Sequence, residues 1–483
     1  MRPLGSPRFW ARIGLLFLCC LVRLAALDAD PPSWLSWSTG LYTDEGYYTL
    51  DARHEVLFGT SAPGSFHDRL LSPLLSVMQQ GVFALFGTGL LQARLLCVCF
   101  GLLTVGVFWL GLRRAYDGRT ADFGALFLGL APPFALYNRL ALQETPTVFW
   151  LVLAFALWSY GIKWLSGAAV AVAIVFKGLA VIGVLALIVW VPPAPNNGGV
   201  REEGAASSAP TGSFLAPPLL GAGGTLLLYF LLWYEPHHAE LARMATYYRV
   251  HQMQPHSAVS LWLNVRRGLI GGERGVIPYL LAQTPVPCLL AGWKFGKWRQ
   301  WTAADKFLVV WLACSLLFCL VSSYAPSRYY VLFLPPLAGL AARSLAGWKR
   351  STQFAAAGLF LLTSGVWYGL AWTGRTETCL SASRELVRLL PPGSVVVGEF
   401  APALCLDTPF AAAPVQPGLS NDDHPVERLH ATDIIVTRTA FWQSWWSARY
   451  PGIVQPSHRI ATLTLGGSRH YVVDVYAVKT AGK

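Results

Sequence analysis

The first three quarters of the chain consist of long apolar blocks, separated by shorter polar or basic segments. A membrane-crossing helix needs roughly 17–25 mostly apolar residues, and charged residues collect at its ends. Ten blocks approach this pattern: 91–112, 121–138, 146–161, 163–177, 178–192, 214–232, 276–293, 306–323, 329–346 and 353–373. With a further apolar stretch from Arg8 to Leu27, the pattern predicts an α-helical polytopic membrane protein with about eleven transmembrane helices.

Two of these spans have an alternative interpretation. The first stretch has the basic start, apolar middle and small residues of a cleaved signal peptide, although its length and Arg23 favour a span. The block 163–192 is divided at Lys177-Gly178, because an unpaired lysine at mid-bilayer costs at least about 2.5 kcal/mol. Whether the first stretch is a span or a signal peptide, the chain after Leu27 is expected to lie outside the cytoplasm.

The segment 28–90 is mixed in character and rich in acidic residues. Its apolar pieces, Tyr47–Phe58 and Leu70–Phe86, are interrupted by proline and glycine, and we expect them to form helices at the membrane interface. Counting the second piece as a span would move Arg113-Arg114 to the outside, against the positive-inside bias.

Basic residues assign the two sides of the membrane. The loops predicted inside hold Arg113, Arg114, Arg119, Lys163, Arg201, Lys294, Lys297, Arg299, Lys349 and Arg350. We therefore expect a multi-pass protein of the cell (inner) membrane with a cytoplasmic N-terminus. The Pro- and Gly-rich segment 193–213 is then a flexible cytoplasmic linker.

From residue 376 the composition changes to that of a soluble domain. The chain thus divides into a transmembrane domain (1–375) and a small extracytoplasmic α/β domain (376–483). The predicted helices are Ala382–Leu390 and Phe441–Tyr450, and the predicted strands are Ser394–Glu399, Asp433–Thr437, Arg459–Leu465 and Tyr471–Val478. Cys379 and Cys405 form a candidate disulfide if this region lies outside the cytoplasm.

Composition supports the membrane assignment and argues against nucleic-acid binding. Hydrophobic residues make up 54% of the chain and charged residues 13%, whereas a soluble domain has about a quarter charged residues. The net charge of +12 comes from cations scattered at the ends of apolar blocks, and a nucleic-acid binder would cluster them.

The first candidate for chemistry is the adjacent acidic pair Asp44-Glu45, which follows the first span. One carboxylate can act as a general base on an acceptor hydroxyl while the other orients it or holds a cation. Glu144 is predicted on the same side of the membrane. The simpler interpretation is that these acids only stabilise the starts of helices.

Cations at the outer ends of spans are candidates for binding a lipid phosphate. They are Lys177, Arg139 and Arg328, the last followed by Tyr329. Arginine offers oxyanions a planar fork of donors, which suits a phosphate group. The alternative for each is a side chain that only extends from the apolar layer towards water.

Two neighbouring histidines, His237 and His238, are candidate metal or acceptor ligands. No pair of histidines at i, i+4 with an acid accompanies them, so the pattern leaves a divalent metal ion as an open question.

In this order and on these predicted sides, the residues resemble the GT-C glycosyltransferases related to protein O-mannosyltransferases and the lipid A aminoarabinose transferase. The resemblance covers about residues 9–346. It is carried by Asp44-Glu45, Ser72-Pro73-Leu74, Leu85-Phe86-Gly87, Arg94, Arg113-Arg114, Arg139, Glu144, Phe176-Lys177-Gly178, Trp233-Tyr234, Arg328-Tyr329 and Leu334-Pro335-Pro336.

The resemblance implies an inverting transfer of a sugar from a polyprenyl-phosphate donor at the outer face of the membrane. The acceptor would be a hydroxyl of a protein, a glycolipid or a polysaccharide. Asp44 would be the base with Glu45 beside it, and Glu144 would be the second acidic position. The donor phosphate would be bound by Lys177, Arg328, Arg139 and Tyr329.

One departure from the family pattern affects the acceptor side. Where relatives often carry Glu-Lys-Pro-Pro, this chain has Leu70-Leu71-Ser72-Pro73. The resemblance therefore leaves an acceptor or metal role there to His67, Asp68 or Arg69.

A multi-pass transporter or flippase of a lipid-linked or small polar substrate is the alternative function. Transport sites place ionisable residues in the middle of spans, whereas these candidates lie in loops and at span ends. The chain also shows no internal repeat of 20–50 residues, which weakens the case for a transporter built from inverted repeats.

Overall fold

The computed structural model describes residues 7–64, 69–188, 212–251, 257–272, 275–467 and 471–478. In these ranges the chain is mainly helical. The helices of the first half are α1 (Pro7–Leu24), α2 (Gly40–Phe58), α3 (Pro73–Phe86), α4 (Leu90–Ala115), α5 (Gly118–Gly129), α6 (Pro132–Tyr137), α7 (Glu144–Ser159), α8 (Lys163–Phe176) and α9 (Ile182–Ile188). Then follow α10 (Gly212–Tyr229), α11 (His238–His251), α12 (Ala258–Ile270), α13 (Val276–Gln283), α14 (Pro285–Phe295), α15 (Ala303–Val321), α16 (Leu334–Ala346) and α17 (Arg350–Thr373).

Among the described residues, five helices are long and apolar enough to cross a membrane. They are Leu90–Ala115, Ala216–Tyr234, Ala303–Val321, Ser327–Ala346 and Arg350–Leu389, and the bent pair α13–α14 is a sixth if counted as one span. The membrane-protein class is thus supported, but the predicted number of eleven spans is not confirmed. Of the predicted linker 193–213, all but the last two residues lie outside the described ranges.

Proline accounts for two differences between the predicted and observed helices. The predicted span 121–138 is divided into α5 and α6, because Pro132 and Pro133 lack the N–H that would continue the helix. The predicted span 276–293 bends by 113° between α13 and α14, where Pro285 follows Thr284. The pattern of apolar residues does not show where these helices are interrupted.

The polar helix α2, which contains the predicted interfacial piece Tyr47–Phe58, is buried among other parts of the protein. It begins seven residues before the predicted start at Tyr47, and every residue from Gly40 to His54 is buried. Its polar faces are covered by other parts of the chain, whose charges and carbonyl groups pair with them. The pair Asp44-Glu45 therefore lies inside the helix and not at a free N-terminus.

The C-terminal region forms a five-stranded sheet flanked by short helices. The strands are β1 (Val395–Gly398), β2 (Ala411–Ala413), β3 (Asp433–Thr437), β4 (Arg459–Leu465) and β5 (Tyr471–Ala477), and the helices are α18 (Thr378–Leu389), α19 (Ala401–Leu404), α20 (Pro425–Arg428) and α21 (Ala440–Arg449). The strand order is β2-β1-β3-β5-β4, parallel among the first three and antiparallel thereafter.

The sequence predicted the other four strands but missed β2, whose three alanines have low β-propensity. The proposed disulfide is wrong for this structure, since Cys379 and Cys405 are both free thiols. Cys405 is buried directly after α19 and belongs to the hydrophobic core.

This sheet region packs directly on α2. The Tyr47 hydroxyl donates to the carbonyl of Glu399 at 3.0 Å, and the Arg53 guanidinium donates to the carbonyls of Thr408 and Phe410 at 2.6 and 2.7 Å. The C-terminal region therefore fixes the position of the helix that carries Asp44.

Gly46→Ala is expected to disrupt this packing, because a Cβ at position 46 would lie 2.3 Å from the backbone nitrogen of Ala403. Overpacking of this kind costs typically about 1–3 kcal/mol. The thermal midpoint of the detergent-solubilised protein should fall accordingly. Gly81→Ala in α3 is the matched control, since nothing lies within 4 Å of its added Cβ; an equal loss in both variants would contradict the close approach at Gly46.

Polar and charged side chains join three elements at one end of the helical bundle. The connection between α4 and α5 meets the start of α15, where the Tyr116 hydroxyl donates to Asp305 at 3.0 Å and Lys294 pairs with the same carboxylate at 3.1 Å. This end gathers loops that the sequence predicts to be basic and inside. The acidic candidates Asp44 and Glu45 lie in α2, and Glu144 is the first residue of α7.

Candidate active site

Four charged side chains from distant parts of the sequence form one cluster. Arg328 lies 2.8 Å from Asp44 through its Nη1 and 3.1 Å from Glu144 through its Nε. Lys177 Nζ donates to Glu144 Oε1 at 2.6 Å. We call Asp44, Glu144, Lys177 and Arg328 the charged cluster.

Each member is positioned by the start or end of a helix. Glu144 is the first residue of α7, where a carboxylate is favoured by the helix dipole. Lys177 is extended and directly follows α8, and Arg328 lies in the 3-10 turn Ser327–Phe333 that precedes α16. Asp44 is in the second turn of α2.

Gly40 leaves the room in which Asp44 and Arg328 meet. A Cβ at this position would lie 2.7 Å from Asp44 Oδ2 and 2.8 Å from Arg328 Nη1. The sequence analysis did not single out Gly40, although its position four residues before Asp44 places it on the same helix face.

The charged cluster is buried, and its carboxylates have unused acceptor capacity. Glu144 is 1% exposed and Asp44 9%. Among the described residues, no donor forms a well-aligned hydrogen bond with Asp44 Oδ2 or with Glu144 Oε2, although Arg328 is at ion-pair distance from the former. Burial raises the pKa of the Asp44 carboxyl above its ordinary value, and the nearby guanidinium of Arg328 opposes this only in part.

The aromatic ring of Tyr329 lies against both cations of the cluster. The ring of Tyr329 lies 4.5 Å from Lys177 Nζ and 5.6 Å from the guanidinium carbon of Arg328. Such contacts stabilise cations in a partly dry site. The sequence analysis named Tyr329 as a candidate ligand of the donor phosphate, and in the structure it lies beside Lys177 and Arg328.

Glu45 is separated from the charged cluster, although it is adjacent to Asp44 in sequence. Arg94 binds both of its carboxylate oxygens at 2.8 and 2.6 Å, and the backbone N–H of Ala141 donates to it at 2.8 Å. Adjacent residues on a helix point about 100° apart, so the two acids contact different neighbours. Arg94 also donates to the carbonyls of Leu27 and Ala29.

Arg139 is likewise separated from the charged cluster. Its guanidinium donates to the carbonyls of Val22 and Ala26 near the end of α1, at 3.4 and 2.5 Å. The non-helical residues between Arg139 and Glu144 turn the chain, so proximity in sequence does not bring the two side chains together.

Of the predicted acceptor or metal residues that the structure describes, Arg69 and His237 line one cavity, and His238 does not line it. His237 Nδ1 and His238 Nδ1 lie 2.8 Å from the carbonyls of Trp233 and Glu235, respectively. Arg69 binds Glu55 at 2.7 Å, while His67 and Asp68 lie outside the described residues. In the part of the chain that the structure describes, no group of three His, Cys, Asp or Glu side chains is arranged to hold a metal ion.

A polar cavity of about 420 Å³ lies along α2 beyond the charged cluster. It is lined by Asp51, Arg69, His237, Glu240, Arg243 and the backbone around Gly64. Asp51 follows Asp44 by seven residues, which is two helical turns and therefore the same face of α2. The spacing of Asp44 and Asp51 was visible in the sequence, whereas nothing in the sequence indicated that Glu240 and Arg243 would line this cavity.

The helical bundle with its C-terminal sheet has the fold of solved structures of two other proteins. ArnT from Cupriavidus metallidurans, solved bound to undecaprenyl phosphate, is similar with a TM-score of 0.69 and 15% identity, over 99% of this chain and 100% of that one. The archaeal oligosaccharyltransferase AglB from Archaeoglobus fulgidus, in complex with an inhibitory peptide and a dolichol-phosphate, has a TM-score of 0.52 and 13% identity, over 91% of this chain and 71% of that one.

Sequence comparison covers a smaller part of the chain. Residues 71–195 match the family model described as dolichyl-phosphate-mannose-protein mannosyltransferase. No curated protein sequence matches the chain. The structural and family matches together confirm the resemblance to GT-C glycosyltransferases that the sequence motifs indicated.

Proposed function

We propose that this protein is an inverting glycosyltransferase that moves a sugar from a polyprenyl-phosphate donor to an acceptor hydroxyl at the outer face of the membrane. The observation that carries the proposal is the charged cluster, in which the Asp44 carboxylate with its raised pKa lies against a buried cation. The match to the protein mannosyltransferase model and the fold shared with ArnT support it.

In the proposed reaction, the acceptor oxygen bonds to the anomeric carbon of the sugar while the bond from that carbon to the phosphate oxygen breaks. Asp44 takes the proton of the acceptor hydroxyl, and its raised pKa makes it a stronger base than an exposed aspartate. Negative charge develops on the departing polyprenyl phosphate, where Lys177 and Arg328 stabilise it. A single displacement of this kind inverts the configuration at the anomeric carbon.

The other two acids have positioning roles in this proposal. Glu144 holds Lys177 and Arg328 through the same oxygen, Oε1, and so sets the distance between the two cations. Glu45 anchors α2 to α4 through Arg94 and thereby orients Asp44 one residue away. Neither role requires contact with the substrate.

The polar cavity is the proposed entry for the acceptor. Its carboxylates and guanidinium groups can hydrogen-bond a molecule with several hydroxyl groups, and it lies on the Asp44 face of α2. The acceptor is therefore expected to be polar near the reacting hydroxyl, as a glycolipid headgroup, a polysaccharide or a hydroxylated peptide is.

The proposed orientation has the charged cluster and the C-terminal region outside the cytoplasm. A topology reporter fused after Lys483 is expected to be extracytoplasmic, and one inserted within 193–213 cytoplasmic, because the basic loops favour the inside. Exchange of either location would move the cluster to the wrong face for this reaction.

The decisive experiment is transfer of radiolabelled sugar from a panel of polyprenyl-phosphate sugars, in membranes with and without the protein. Transfer to an acceptor only with the protein present would support the enzyme and identify the donor. Arg243→Gln is compared in the same assay, and an acceptor KM equal to that of wild type would exclude the polar cavity as the acceptor site. If no donor gives transfer but the labelled lipid crosses the vesicle membrane, the protein is a flippase.

A further inference from the structure

A second cavity, of about 440 Å³, lies away from the charged cluster. It is enclosed by the end of α1, the turn between α6 and α7, and the end of α17. Most of its wall is apolar, formed by Leu21, Val22, Ala25, Leu136, Leu140 and Ala371. Arg139 and Arg375 also line it, and we call it the arginine cavity.

No acid that lines the arginine cavity forms an ion pair with Arg139 or Arg375 among the described residues, although Asp28 lies near enough to Arg139 to raise its pKa. The hydrogen bonds of Arg139 go to main-chain carbonyls, and the guanidinium of Arg375 lies over the ring of Trp372 at 4.5 Å. Arg94 also borders the cavity, but its charge is already paired with Glu45. Burial, with the like charges of Arg94 and Arg375, lowers the pKa of Arg139 to about 10, and Tyr368 and Asp28 oppose this shift only in part.

The acid that borders the arginine cavity is not available to a ligand. Asp30 Oδ2 accepts hydrogen bonds from Thr376 Oγ1 and from the backbone N–H and hydroxyl of Thr378, and Oδ1 accepts from the backbone of Cys379. The cavity thus has cations for an anionic ligand but no carboxylate free to act as a base. The arrangement of the cavity suits the binding of an anion and not the catalysis of a reaction.

The mouth of the arginine cavity reaches the apolar outer surface of the helical bundle. Leu21 and Trp372, which both line it, are 48% and 57% exposed. Tryptophan and arginine side by side are typical of the level of lipid headgroups. An occupant that enters here would come from the bilayer.

We propose that the arginine cavity binds one anionic phospholipid, with its phosphate between Arg139 and Arg375 and an acyl chain along the apolar wall. This lipid is distinct from the polyprenyl-phosphate donor, which needs a base and two cations at the charged cluster. Arg139, a candidate donor ligand in the sequence, belongs to this second site. The proposal does not depend on the transferase activity.

Two substitutions with matched controls test the site. Gly369 lines the cavity and has nothing within 4 Å of an added Cβ, so the side chain of Gly369→Leu starts in open space and takes up volume at the cavity wall. Gly358→Leu on the same helix is the control, because its Cβ also meets nothing within 4 Å and it does not line the cavity. Arg375→Gln removes a cation, and Arg388→Gln, whose side chain is 78% exposed, is its control.

Bound lipids are counted by native mass spectrometry of the full-length proteins in mild detergent, with phosphatidylglycerol, phosphatidylcholine, undecaprenyl phosphate or inorganic phosphate added. We expect wild type and both controls to retain one phosphatidylglycerol that Gly369→Leu loses. Arg375→Gln should bind it about tenfold more weakly, the effect of losing one charge-assisted hydrogen bond. Neither phosphatidylcholine nor inorganic phosphate should displace it.

Three results would overturn the proposal. Equal retention by Gly369→Leu and Gly358→Leu would show that the lipid lies elsewhere. Displacement by undecaprenyl phosphate at equal concentration would assign the cavity to the donor. Displacement by inorganic phosphate alone would make it a site for a free anion and not for a lipid.

Discussion

Asp44→Asn is expected to lower the rate of sugar transfer by about 10²–10⁴-fold, the usual contribution of a general base. The asparagine has the same shape but cannot accept the proton of the acceptor hydroxyl. The measurement is transfer from the donor identified in the panel, at equal amounts of folded protein. Binding of the donor should change much less, because Lys177 and Arg328 remain.

The pH profile distinguishes a base from a structural aspartate. Transfer by wild type should fall as the pH drops through the pKa of Asp44, which burial holds above the ordinary value. The residual activity of Asp44→Asn should lack this acid limb. Asp423→Asn, on a side chain that is 74% exposed, is the control and should keep both rate and profile. A rate for Asp44→Asn above about a tenth of wild type is incompatible with the proposed role.

Arg328→Gln is expected to lower transfer by about 10²–10³-fold, comparable to removing a donor that stabilises charge in a transition state. It also leaves two buried carboxylates with only Lys177, and breaking a buried ion pair costs about 3–5 kcal/mol. The single variant is therefore expected to be both inactive and less stable. Its activity alone does not separate the two effects.

The double variant Arg328→Gln/Glu144→Gln separates them. Removing one cation and one anion leaves Asp44 and Lys177, so the cluster is again neutral and the thermal midpoint should recover towards wild type. Transfer should remain low, because the departing phosphate has lost a cation. Recovery of transfer together with stability would mean that Arg328 serves only the fold.

The sequence by itself determined the class of protein and most of its local structure. Long apolar blocks indicated a helical membrane protein because lipid leaves few other ways to satisfy the backbone. Strands β3 and β4 were predicted with their observed bounds, since short runs rich in β-branched and apolar residues favour strands. Lys177 and Arg328 were selected as candidates because cations at the outer ends of spans suit a lipid phosphate, and Glu144 because it adds an acid on the same side as Asp44.

Only the tertiary structure decided which of these residues meet. Asp44 and Glu45 are neighbours in the chain, yet one pairs with Arg328 and the other with Arg94, because helix geometry turns them towards different elements. Arg139 and Glu144 were expected at one site, but Glu144 lies in the charged cluster and Arg139 lies apart from it. Pairing across 100 or more residues depends on how helices pack, and a pattern along the chain records each side chain's chemistry but not its partner.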